Sequence, residues 1–155
     1  MNRQAVTKVY KELHGFASTI VAKGQEHIPI LIVVIDDRPM DVLPLVNVAK
    51  EMVPVMQNEA AKRPGVYTVL IVESWFVARK NPDLDNLPSP SQSPDRREAL
   101  MFSFVGKDWR ALAMCLIDRE KKTVKRDLLH FEGDPGFGIL GGALFPDRAD
   151  QGNRQ

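Results

Sequence analysis

Apolar positions Val6, Val9, Tyr10, Leu13, Phe16, Ala17, Ile20 and Val21 recur at helical spacing, with Lys8, Lys11, Glu12 and Ser18 between them. The spacing predicts an amphipathic helix over residues 3–22. Gly24 stands where a helix ends in left-handed geometry, and Pro29 rules out further helix. The unbroken, β-branched run Ile30 to Ile35 then reads as a strand covered on both faces. Met40 to Val46 reads either as a returning strand, which Pro44 restricts to a sheet edge, or as an early start of the next helix. Val48, Met52, Val55, Met56, Glu59 and Ala60 outline a second helical face between Asn47 and Lys62, with Pro54 as a kink or as the true helix start. Pro64 and Gly65 close it.

Val66 to Val77 is the strongest strand signal and is expected at the sheet centre. A polar loop over residues 79–97, with Pro82, Pro88, Pro90 and Pro94, is longer than ordinary connections. Three strands follow, Ala99 to Val105, Trp109 to Ile117 and Thr123 to Phe131, joined by short turns as an antiparallel meander. The pattern gives one α+β domain over residues 1–146, an amphipathic N-terminal helix and a second helix packed on a mostly antiparallel sheet of five or six strands. Residues 147–155 lack periodicity and read as a flexible tail.

With 155 residues, the chain is long enough to bury its own core. The 21 Lys and Arg against 20 Asp and Glu leave a net charge of +1, which argues against nucleic acid as a partner. The basic run from Arg119 to Arg126 falls on an expected hairpin turn, where charge serves solubility. Cys115, the single cysteine, excludes an intrachain disulfide and sits in an apolar run that favours an inert thiol. Met1 to Lys23 has no signal-peptide core, and the apolar run Ile28 to Ile35 is too short to span a bilayer. These features imply a cytoplasmic protein without membrane contact.

Gly136-Phe137-Gly138-Ile139-Leu140-Gly141 matches a dinucleotide-binding glycine pattern in letters only. Pro146 follows too soon for the helix and second parallel strand that give the pattern its function. No cofactor is expected. His14, His27 and His130 show no metal-ligand spacing.

The preferred site is the end of the central strand. Glu73-Ser74-Trp75 there should face Asp95-Arg96-Arg97-Glu98 across an antiparallel pair. A carboxylate in so apolar a strand needs a partner, and Arg96 or Arg97 is the expected one. The binding set is therefore Glu73, Trp75, Asp95, Arg96 and Glu98. The competing interpretation of the same residues is a structural ion pair that pins the long loop. Ser93-Pro94-Asp95-Arg96 also fits a helix cap, which would close the loop with one helical turn. A catalytic alternative uses Glu73, Asp95 and Glu98 as clustered carboxylates of a metal-dependent hydrolase or nuclease, with Asp36 and Asp37 as further metal ligands. Paired acids at a strand end also suit a turn.

Glu73-Ser74-Trp75, the Pro88-Ser89 loop and Ser93-Pro94-Asp95-Arg96-Arg97-Glu98 resemble a group of small uncharacterised bacterial and bacteriophage proteins. Those chains carry a Glu-(Ser/Ala)-Trp strand end, a Pro-Ser loop and a Pro-Asp-Arg-x-Glu segment. The likeness spans about residues 24–118 in order of elements, with Pro90 and Ser91 inserted here. It implies a phage or prophage accessory role and no specific activity. The leading expectation is a non-enzymatic interaction protein that meets a protein partner, or a second copy, through the long loop and the adjoining sheet edge.

Overall fold

The computed structural model describes residues 1–76, 97–135 and 137. Helix α1 spans Arg3–Ala22. Asn2 caps its start, the side-chain oxygen accepting from the N–H groups of Gln4 and Ala5 at 2.9 and 3.2 Å. At its other end Gly24 adopts φ 74°, the Gln25 N–H reaches Ile20 O and the Gly24 N–H reaches Val21 O. This paired closure satisfies the last carbonyls and needs a residue tolerant of positive φ. The buried stripe is Val6, Val9, Tyr10, Leu13, His14, Ala17 and Val21. Phe16 belongs to the expected stripe, yet it is 52% exposed, and His14 is buried instead.

Strand β1 (Ile30–Ile35) pairs antiparallel with β2 (Arg38–Pro44). Asp36 and Asp37 join them with φ 49° and 62°, the double positive φ that a two-residue type I′ hairpin turn requires. Met40 to Val46 is thus resolved as strand through Pro44, and β2 forms the sheet edge with all seven residues exposed.

Helix α2 is Met52–Ala61. Pro54 lies in its first turn, where its missing N–H has no intrahelical partner to lose, so the proline marks the start rather than a kink. The expected apolar face is corrected here. Gln57 and Ala61 are buried, whereas Met52 and Val55 are 50% and 49% exposed.

Strands β3 (Val66–Phe76), β4 (Arg97–Val105) and β5 (Arg110–Asp118) continue the sheet, every pair antiparallel. The order is β2-β1-β3-β4-β5, with β6 (Thr123–Val124) and β7 (His130–Phe131) both pairing β5. β3 is central, as its apolar run predicts. The expected single strand Thr123 to Phe131 is instead two short ones. Its register against β5 slips by one between Ile117↔Val124 and Leu112↔His130, so one extra residue is taken up in the gap. Within that gap the Asp127 carbonyl accepts from the Tyr10 hydroxyl at 2.6 Å, tying the break to α1.

α1 covers one sheet face, over a core that includes Ile32, Val69, Ile71, Leu100, Phe102, Phe104 and Ala113. α2 lies on the other, where the Gln57 amide donates to Ser103 O and Phe137 joins Ala99, Met101, Leu112 and Met114. Between β4 and β5, Gly106 has the Trp109 indole where a Cβ would stand, so that turn admits no larger residue. No helix among the described residues is long and apolar enough to cross a membrane.

Candidate functional site

Register alone carries Glu73 and Glu98 to the same place. Trp75 pairs with Glu98 and Glu73 with Leu100, so Glu73, Trp75 and Glu98 share the α1 face of the sheet. They stand where α1 has ended and the chain crosses to β1. The backbone N–H of His27, in that crossing, donates to Glu73 Oε1 at 2.7 Å.

The cation between them is Arg119, the first residue after β5. Its Nη2 donates to Glu73 Oε2 at 2.8 Å, and its Nε donates to Glu98 Oε2 at 2.8 Å. Nη2 is also 2.8 Å from that Glu98 oxygen, so one guanidinium edge grips it twice. Burial lowers the affinity of Arg119 for its proton, but the hydrogen bonds to Glu73 and Glu98 outweigh it and hold the guanidinium above its ordinary range. Together with Gly24, Glu26, Ser74 and Trp75 these residues line an open cleft of about 440 Å³. Trp75 is 40% exposed beside it.

Arg97, paired with Phe76, opens β4, and among the described residues Arg119 takes the role expected of Arg96 or Arg97. Asp95 and Arg96, like the Ser93 to Arg96 cap and the loop from residue 79, lie outside the described residues. So does the glycine pattern, except Phe137.

Asp36 and Asp37 lie at the far end of the sheet. Ile35 pairs with Val66, while Ile30 pairs with Ile71, so the Asp36–Asp37 turn and Glu73 flank β3 at opposite ends. They are turn residues in a separate cleft with Arg63, Lys107 and Trp109. Among the described residues no group of three or more His, Cys, Asp or Glu side chains is placed to hold a metal ion.

Arg119 is the residue that sequence reasoning missed. Counting the β4–β5 hairpin outward from Gly106 puts Ala99 opposite Leu116, hence Glu98 level with position 117 and Arg119 one diagonal step away on the same face. The signal was present in the register, but a basic run on a turn obscured it.

Two histidines are buried in the fold, and one of them, His27, adjoins Glu73. His27, 4% exposed, donates from Nδ1 to the Ile28 carbonyl at 2.9 Å, leaving Nε2 as a bare acceptor in the core. Burial lowers its pKa, against the Ile28 carbonyl and Glu73, which act to raise it. His14 is lowered too, by burial and by Arg126. Burial pushes the Cys115 thiol up, the opposite of what an activated nucleophile needs. Comparison of the chain with protein-family models, curated proteins and solved structures finds no match.

Proposed function

We propose that the chain is a non-enzymatic recognition protein whose contact surface is the sheet end built from Glu73, Ser74, Trp75 and Glu98 around Arg119. The observation that carries this reading is the engagement of both carboxylates by one guanidinium. Glu73 Oε1 and Oε2 and Glu98 Oε2 already accept charge-assisted or backbone hydrogen bonds, so a hydrolytic role would first require Arg119 to leave. What the clamp leaves on the surface is a positioned indole, the side chain most enriched among the residues that dominate protein interfaces.

The cleft lining sets Glu26, Glu73 and Glu98 against Arg119, so the complementary partner surface is basic. The sheet edge contributes less than the sequence suggests. Leu45 N–H donates to Pro29 O, which turns the main chain of residue 44 outward, and Pro44 has no N–H to offer an added strand. Recognition therefore runs through side chains at the sheet end. A cytoplasmic setting fits the lone, buried Cys115, and the Glu73-Ser74-Trp75 resemblance makes a phage or prophage accessory role the context we favour.

Affinity capture from cell lysate with immobilised chain tests this. Trp75→Ala should retain the specific partner at least about tenfold less than wild type while still unfolding cooperatively. Equal recovery by Trp75→Ala and wild type would defeat the proposal.

A further inference from the structure

The cleft at the sheet end carries more negative charge than its own cation takes up. Among its described lining residues, Glu26, Glu73 and Glu98 stand against the guanidinium of Arg119. Lys122 adds one positive charge at the rim, its Nζ 4.0 Å from where a Cβ on Gly24 would stand, and the balance stays negative. The carboxylates are not equally engaged. Glu73 is committed through both oxygens, Oε1 to the His27 N–H and Oε2 to Arg119. Glu98 is engaged through Oε2 alone. Its Oε1 and both oxygens of the exposed Glu26 accept no hydrogen bond among the described residues, although each has lone pairs to offer.

We infer that this cleft seats one arginine side chain of the partner protein, its guanidinium donating to Glu98 Oε1 and to Glu26 and lying against the Trp75 indole. The inference rests on the recognition reading above and names the group that anchors the partner. Charge complementarity selects a cation. The arrangement of acceptors selects its kind. No three acids among the described residues are grouped closely enough to hold a metal ion, so a compact ion is not what these carboxylates suit. Glu26 comes from the crossing between α1 and β1, and Glu98 from β4. A planar guanidinium with five N–H donors reaches acceptors on separate elements, whereas a lysine ammonium is a point charge. The guanidinium is also the more weakly hydrated of the two and stacks on aromatic faces. Trp75, 40% exposed and on the same sheet face as Glu98, supplies such a face.

The chain itself shows that a guanidinium suits this place. Arg119 already lies between Glu73 and Glu98 with its side chain 36% exposed. An incoming arginine shares Glu98 with it, Oε2 staying with Arg119 and Oε1 turning to the partner. Glu73 offsets the charge of Arg119, so the second guanidinium answers to Glu26 and the remaining half of Glu98. The cleft, at about 440 Å³, falls among the sizes that admit a small ligand and has room for a whole side chain.

Titration of N-acetyl-arginine amide into the full chain, followed through its indole and backbone N–H resonances by NMR, reads the contact directly. The Trp75 indole and the Gly24, Glu26 and Glu98 amides should shift together and saturate with millimolar affinity. The lysine analogue should bind at least about threefold more weakly, and the citrulline analogue, similar in shape but uncharged, should not saturate. Glu26→Gln removes a cleft charge at an exposed position outside the Arg119 clamp and should weaken arginine binding about three- to fivefold. The inference is overturned if the arginine probe fails to saturate, if the lysine or citrulline analogue binds equally well, or if Glu26→Gln leaves arginine binding unchanged. Such a failure, with capture of the lysate partner still dependent on Trp75, removes the arginine anchor and leaves the recognition reading standing. Arginine binding in the cleft, with Trp75→Ala still retaining the lysate partner, defeats that reading instead.

Discussion

Arg119→Met should lower the unfolding free energy by about 2–3 kcal/mol, measured by urea denaturation at neutral pH. The substitution keeps the aliphatic bulk and removes the cation that, among the described residues, joins β3 to β4 across the sheet end. Glu73 and Glu98 side chains are only 21% and 33% exposed, so water replaces the lost hydrogen bonds incompletely. The exposure also keeps the cost below that of a fully buried pair. Glu73→Gln or Glu98→Gln in the Arg119→Met background should recover part of the loss, because each removes a stranded charge. Arg119→Lys should recover less than half, since an ammonium cannot reproduce the Nε and Nη2 fork. A loss below about 0.5 kcal/mol for Arg119→Met would mean that solvent screens the cluster and that it anchors nothing.

Acidification through the imidazole range should weaken the fold. His14 and His27 are both held below the ordinary imidazole range, chiefly by burial. A base whose folded pKa is depressed takes up its proton more readily unfolded, so its contribution is whole above pH 6.5 and is lost as pH falls below it. A drop on the order of 1–2 kcal/mol is expected between pH 7.5 and 5.5 from the two rings. His14→Gln and His27→Gln should each flatten the profile. A wild-type stability that stays level across this interval would show that the rings are solvated enough to protonate in place. His27 gives the effect a local readout, because its backbone N–H holds Glu73. Solvent access to Trp75 should therefore rise in parallel with protonation.

Much of this architecture follows from elementary sequence rules, and the exceptions have physical causes. The 3.6-residue spacing and Gly24 place α1 to within a residue, since its stripe meets a continuous apolar sheet face. The central position of β3 follows from burial on both faces. α2 was legible as a helix but not in orientation. The expected face held Met56 and Ala60 along with the exposed Met52 and Val55, and periodicity gave no reason to turn the polar Gln57 inward, where its amide meets Ser103 O. Thr123 to Phe131 looked like one strand because β-propensity is blind to a one-residue slip, and the Tyr10–Asp127 bond that accompanies the break is a long-range contact.

Site prediction divides the same way. Glu73, Trp75 and Glu98 were found because two strands flanking one loop must pair at its base. Arg119 comes from a third strand, and its role needs the register of two hairpins at once. Asp36 and Asp37 show the opposite error. Acids at the end of one strand look like neighbours of acids at the end of another, but β1 and β3 are antiparallel, which puts those ends on opposite sides of the molecule.

The most direct measurement is thermal unfolding of wild type and Glu73→Ala, each with and without millimolar Mg²⁺, Mn²⁺ or Zn²⁺. A clamped, non-catalytic sheet end requires the same midpoint with and without metal, and a Glu73→Ala variant clearly destabilised in either condition because the His27 and Arg119 bonds are gone. A metal-dependent rise in the wild type that disappears in Glu73→Ala would contradict it, showing that Arg119 yields its carboxylates to a cation and that the cleft is a metal centre.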